Sequence, residues 1–111
     1  MDKRLTLIRD AQKHVSGGSV PEFLAEDLSN FIYDGGYLYA SRAAEALCRP
    51  VISNPDEDVI ETIVDSYVLE LLGFVNKPNK GYGSLEQRNS LVAFLDQLRA
   101  EIEKHPEYSK S

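Results

Sequence analysis

The sequence predicts an all-α fold, a compact single-domain bundle of about five helices, and three observations carry that expectation. Helix start and stop signals recur along the chain, the apolar residues between them fall at steps of three and four, and the strict apolar–polar alternation of strands is almost absent. The chain has 111 residues and 42% hydrophobic content, the usual size of one domain and enough to fill one core without metal or disulfide. No internal repeat and no shift of composition marks a boundary, so residues 1–111 are expected to fold as one unit.

The first helix is expected over residues 3–15, with Ile8, Ala11 and Val15 as a modest apolar stripe and Gly17-Gly18 as its stop. The second begins at Ser19-Val20-Pro21-Glu22, where the serine hydroxyl and the glutamate carboxylate have the spacing of a reciprocal capping box and proline suits a first turn. Leu24, Leu28, Phe31 and Ile32 then share one side, and Asp34-Gly35-Gly36 ends the run. The third, residues 37–48, is rich in alanine (Ala40, Ala43, Ala44, Ala46), which allows close packing, and Pro50 forces its end near Arg49. The fourth starts at Asn54-Pro55-Asp56-Glu57, read with Asn54 as cap and Pro55 at the first helical position. Val59, Ile60, Ile63, Val64, Tyr67 and Leu71 give it a broad apolar face, and Gly73 closes it.

Residues 76–83, rich in Gly, Pro, Asn and Lys, are expected to form a flexible loop. Ser84 and Gln87 frame a second capping box, and the fifth helix follows over residues 85–104. Its Leu91, Leu95, Leu98 and Ile102 alternate steps of four and three, the spacing of a seam that packs on another helix. That helix can belong to the same chain or to a second copy, so a homodimer through residues 85–104 is one reading. Pro106 ends the helix, and residues 107–111 are expected to fray.

Composition narrows the function classes. The single cysteine, Cys48, cannot form an internal disulfide and suits a reducing cytoplasm. A buried structural thiol is the plain reading, because a catalytic one needs a neighbouring histidine and His14 and His105 are both distant in sequence. The N-terminus alternates charged and apolar residues and lacks the apolar core of a signal peptide. No apolar run approaches the roughly 20 residues of a membrane span, the longest candidate being the interrupted stretch 66–75. A soluble cytoplasmic protein with no membrane partner is therefore expected.

Net charge is −6, and its placement is informative. Glu22, Glu26, Asp27 and Asp34 occupy residues 19–36 without a Lys or Arg among them. Asp56, Glu57, Asp58, Glu61, Asp65 and Glu70 occupy residues 51–75 in the same way. Two such blocks repel phosphate and attract basic partners, so direct nucleic-acid binding is not expected and a basic protein partner is.

Chemistry-bearing patterns are few, and no cofactor motif is present. Glu57-Asp58-Val59-Ile60-Glu61, with Asp65 a turn beyond, resembles the Glu-Glu-x-x-Glu segment with which all-helical nucleotide pyrophosphohydrolases of the MazG type hold magnesium. Their second element, Glu-x-x-Asp, is missing: Glu70, Glu86 and Glu101 are followed at that spacing by Gly73, Asn89 and Lys104. Three readings of these acids remain: a solvated helix face, a partner-binding stripe of Asp58, Glu61 and Asp65, or a magnesium site. Gly81-Tyr82-Gly83-Ser84 lacks the Gly-Lys-Ser ending and the preceding strand of a phosphate-binding loop. No histidine or cysteine spacing suits a metal.

The second helix carries Glu22, Glu26, Ser29 and Tyr33 along one side, and Tyr37 and Tyr39 follow the glycine turn. Three tyrosines around one turn suit interface anchors, and still more commonly the packing of a helix corner on its own domain. In size, acidity and helicity the whole chain resembles the immunity proteins of bacterial contact-dependent growth inhibition and related toxin systems. That resemblance implies no catalytic residues and cognate binding to a toxin, a nuclease domain whose basic cleft the acids would cover. The candidate contacts are Glu22, Glu26, Tyr33 and Tyr37 on one side and Asp58, Glu61 and Asp65 on another. The alternatives are a magnesium-dependent pyrophosphohydrolase using Glu57, Asp58 and Glu61, and a self-associating helical adaptor.

Overall fold

A computed structural model describes residues 2–78 and 81–107. It is an all-α single-domain bundle of five helices: α1 (Lys3–Ser16), α2 (Glu22–Tyr33), α3 (Tyr37–Cys48), α4 (Glu57–Gly73) and α5 (Leu85–Lys104). The longest helix, α5, lies at the centre and packs chiefly on α1 and α3, while α4 leans on α3 and touches α2 and α5 more lightly. Burying apolar faces this way is what holds the domain together, at roughly 25 cal/mol for each Å² of apolar surface removed from water. No described helix is long and apolar enough to cross a membrane.

The seam of α5 is interior. Leu91, Leu95, Leu98 and Ile102 are at most 1% exposed, so the residues that a homodimer through 85–104 would use are already covered by this chain's own helices. Ala40, Ala43 and Ala44 are fully buried and let α3 approach closely, whereas Ala46 faces solvent. Tyr39 is also fully buried. Its ring stacks on Phe31, its hydroxyl donates to the carbonyl of His105, and Arg4 lies over its face, tying both ends of the described chain to α3. Cys48 is only half-buried, its thiol turned to the Glu45 carbonyl, because it sits at the open end of α3.

Three local details depart from the sequence expectations. Ser19 and Glu22 make no capping box: α2 starts behind Pro21 with no side-chain cap, and the Ser19 hydroxyl donates instead to the Lys77 carbonyl at 3.1 Å. The cause is an unanticipated parallel bridge between Val20 and Val75, in which Val20 N–H donates to Phe74 O and Asn76 N–H to Val20 O, both at 2.8 Å. Helix α4 is capped by Asp56, whose carboxylate accepts from Val59 N–H at 2.9 Å, so Asn54 and Pro55 precede the helix. The Ser84–Gln87 box does form.

The described residues of loop 76–83 make backbone hydrogen bonds to the connection between α1 and α2. Gly81 N–H donates to Gly17 O and Tyr82 N–H to Gly18 O, which extends the Val20–Val75 contact. Residues 79 and 80 of that loop, and residues 108–111 of the tail expected to fray, lie outside the described residues.

Along α4 the burial is uneven. Val64, Val68 and Leu71 are buried, but Val59, Ile60 and Ile63 are only half-buried. The N-terminal half of α4 therefore stands out as a ridge, with a shallow groove on either side.

Candidate functional site

The first groove is built at the corner between α2 and α3. Gly35 turns the chain with φ +117°, and Gly36 packs so tightly that a Cβ there would stand 2.7 Å from both the ring and the carbonyl oxygen of Phe31. Glycine is required at such a corner because any side chain would push α3 off α2. The tight turn leaves Tyr33 as the last residue of α2 and Tyr37 as the first of α3, with their rings stacked 6.3 Å apart at 25°.

This pair meets the acids of α4. The Tyr33 hydroxyl donates to Asp65, and Tyr37 lines a cleft of about 370 Å³ with Leu38, Ser41, Glu57, Ile60 and Glu61. The floor is apolar and aromatic, and Glu57 and Glu61 are exposed at the rim. Tyr33 is 48% exposed, yet loss of solvent around its hydroxyl, followed by the hydrogen bond to Asp65 and that residue's charge, pushes its pKa up to about 12. Burial, then the charges of Glu61 and Asp65, also raise the pKa of Tyr37. Both phenols stay neutral across the physiological range, and the local field is negative.

The second groove, about 280 Å³, lies on the other side of the ridge between Ile52, Asp58, Val59, Thr62 and Ile63. Asp58 thus parts from Glu61 and Asp65, although all three avoid the core as a period of 3.6 residues requires. Glu22 and Glu26 are exposed on α2, and at 1.5 Å of rise per residue they lie about 16 and about 10 Å from Tyr33 along the helix axis. Four of the seven candidate contacts, Tyr33, Tyr37, Glu61 and Asp65, therefore converge across α2, α3 and α4. Glu22, Glu26 and Asp58 stand outside the cluster. Tyr39, expected at the same turn, is in the core instead.

The cleft is also lined by Leu38, Ser41, Ile60 and Glu57, none of which the sequence singles out as a candidate partner contact. The signal available was the i, i+3, i+4 spacing of Glu57, Ile60 and Glu61, which places an apolar residue between two acids on one helix face. Glu57 reads locally as a first-turn acid facing the helix dipole, and that account hid it.

Chemically the cleft suits a cation with an apolar stem. Ser41 is not set up as a nucleophile: its hydroxyl donates to the Tyr37 carbonyl one turn back at 2.8 Å. The proposed magnesium ligands divide between two grooves, Glu57 and Glu61 in the first and Asp58 in the second. Among the described residues no group of three or more His, Cys, Asp or Glu side chains is disposed to hold a metal ion. Comparison with family models, with curated proteins and with solved structures returned no match.

The tyrosine–aspartate contact gives a pH signature. A phenol whose folded pKa is raised from 10.0 to about 12 binds its proton more tightly in the folded state. The stability it contributes is therefore complete below pH 10 and is lost as pH rises towards 12. Ultraviolet titration is expected to find one tyrosine ionising near 12, with folding stability falling over the same window. Tyr33→Phe should abolish that late titration; its persistence in the variant would place the perturbed phenol elsewhere.

Proposed function

We propose that this chain is a neutralising binding protein, an immunity protein that covers the basic substrate surface of a cognate toxin, most simply a nuclease domain. The observation that carries the reading is the joining of two half-exposed tyrosines to the acids of α4 on one surface. Tyr33, Tyr37, Glu61 and Asp65 come from three helices and meet at the surface of the bundle. Such a face supplies what a protein interface needs: aromatic area that loses little entropy on binding, and charge that selects a basic partner.

A nuclease must attract phosphate, so its active surface carries Lys and Arg. A partner with net charge −6 and two blocks without a basic residue meets it with the opposite field. Steering of this kind raises association rates from about 10⁵–10⁶ to as much as about 10⁸–10⁹ M⁻¹s⁻¹ at low salt, which suits a protein that must reach the toxin before its substrate does. No catalytic group is needed for this role, and the cytoplasm of the producing cell is where it would act.

Affinity capture of the tagged protein from its native cell is expected to recover a stoichiometric basic protein. The cleavage of nucleic acid by that protein should be inhibited by the added chain. A captured partner with no such activity, or no stoichiometric partner, would contradict the reading.

A further inference from the structure

We infer that the cleft between α3 and α4 is a socket for one arginine side chain of the partner, an inference that deepens the reading above and rests on it. The cleft is an apolar groove rimmed by two exposed carboxylates, and its occupant follows from that combination. Leu38 and Ile60 offer an apolar floor for three methylenes, Tyr37 offers a ring face, and Glu57 and Glu61 stand one helical turn apart on the same wall. A guanidinium is planar, weakly hydrated and stacks on aromatic rings, and its fork of donors matches carboxylates; an ammonium is a compact, strongly hydrated point charge that uses neither the ring nor the fork as well. A purely apolar side chain would leave both carboxylates at the rim partly desolvated and unpaired.

Tyr33 and Asp65 act as positioning residues in this arrangement. The hydrogen bond between them holds the Tyr33 ring, which stacks on the Tyr37 ring that lines the socket. Asp65 thereby spends part of its acceptor capacity within the chain, and the rim charges left for the partner are those of Glu57 and Glu61. The second groove lacks an aromatic wall and carries one acid, Asp58, so it does not share this selectivity.

The test uses the intact protein and three short blocked peptides, Gly-Arg-Gly, Gly-Lys-Gly and Gly-citrulline-Gly, followed by backbone amide shifts in nuclear magnetic resonance titrations at physiological salt. The arginine peptide is expected to give saturable shifts confined to residues 37–41 and 57–61, with an affinity in the millimolar range typical of a single side chain. The lysine peptide should bind at least about threefold more weakly and the citrulline peptide at least about tenfold, as loss of stacking and of charge respectively requires. A Glu57→Gln/Glu61→Gln double variant, altered only at exposed positions, should lose the shifts while keeping its helical content. Tyr37→Phe, which keeps the ring, should retain them.

Equal binding of the lysine or citrulline peptide, shifts centred on Glu22 and Glu26, or the same shifts produced by magnesium chloride alone would each overturn the socket. These outcomes are independent of the capture experiment: a captured nuclease with no arginine response removes the socket and leaves the neutralising role, and an arginine response with no such partner does the reverse.

Discussion

Replacing Gly18 with alanine is expected to destabilise the protein by about 3–4 kcal/mol, a large share of the roughly 5–15 kcal/mol that holds a domain of this kind together. Gly18 has φ +81°, where an L side chain costs about 1–2 kcal/mol. A Cβ there would also stand 2.2 Å from the nitrogen of Gly81, 2.4 Å from its Cα and 2.5 Å from the nitrogen of Tyr82. Those are backbone atoms that cannot rotate away. The two strands of chain must separate, which breaks the hydrogen bonds from Gly81 to Gly17 and from Tyr82 to Gly18, each worth about 1 kcal/mol. Gly35→Ala is the matching control, because Gly35 also has a positive φ but nothing within 4 Å of its added Cβ. Urea denaturation should rank Gly18→Ala well below Gly35→Ala. Equal losses would mean that the close approach of residues 17–18 to 81–82 contributes nothing.

Leu98→Asp is expected to unfold the monomer outright. Leu98 is fully buried in α5, and removing its side chain alone costs about 2–5 kcal/mol. Placing a carboxylate among apolar neighbours adds several kcal/mol more, either as desolvation of the charge or as forced protonation. The sum approaches or exceeds the whole stability of the domain. Circular dichroism should show loss of most helical signal at 25 °C, and sedimentation an expanded single chain. A folded, helical monomer would instead mean that the α5 seam serves contact between copies.

How much of this was legible beforehand differs from element to element. All five helices and their approximate limits follow from local chemistry: Gly17-Gly18, Pro50, Gly73 and Pro106 end helices whichever neighbours they have. The caps were harder. Asn54 and Asp56 both suit an N-cap, and it is Asp56 that takes the place, its carboxylate accepting from Val59 N–H. Ser19 and Glu22 have the spacing of a capping box, yet the serine hydroxyl serves Lys77 because Val20 pairs with Val75 across 55 residues of sequence. No periodicity within a helix reports a bridge of that kind.

The candidate site divides in the same way. Helical spacing places Asp58, Glu61 and Asp65 away from the core, and an aromatic residue either side of a glycine turn marks Tyr33 and Tyr37. Which helix stands beside those tyrosines is a property of the packed bundle. The hydrogen bond from Tyr33 to Asp65 joins what had been two separate surfaces, and the same packing sends Asp58 into the other groove and Tyr39 into the core. Glu22 and Glu26 lie on the correct side of α2 for a stripe with Tyr33, but the length of the helix removes them from the cleft.

The neutralising role is tested most directly by measuring how strongly the captured nuclease is inhibited by the wild-type chain and by Glu61→Lys. Glu61 is exposed, so the reversal should leave folding intact while placing a positive charge at the rim of the cleft proposed to receive the partner. Inhibition weakened by at least about tenfold in the variant is the expected result. Undiminished inhibition by Glu61→Lys would contradict the central claim that the face formed by Tyr33, Tyr37, Glu61 and Asp65 is where the partner is bound.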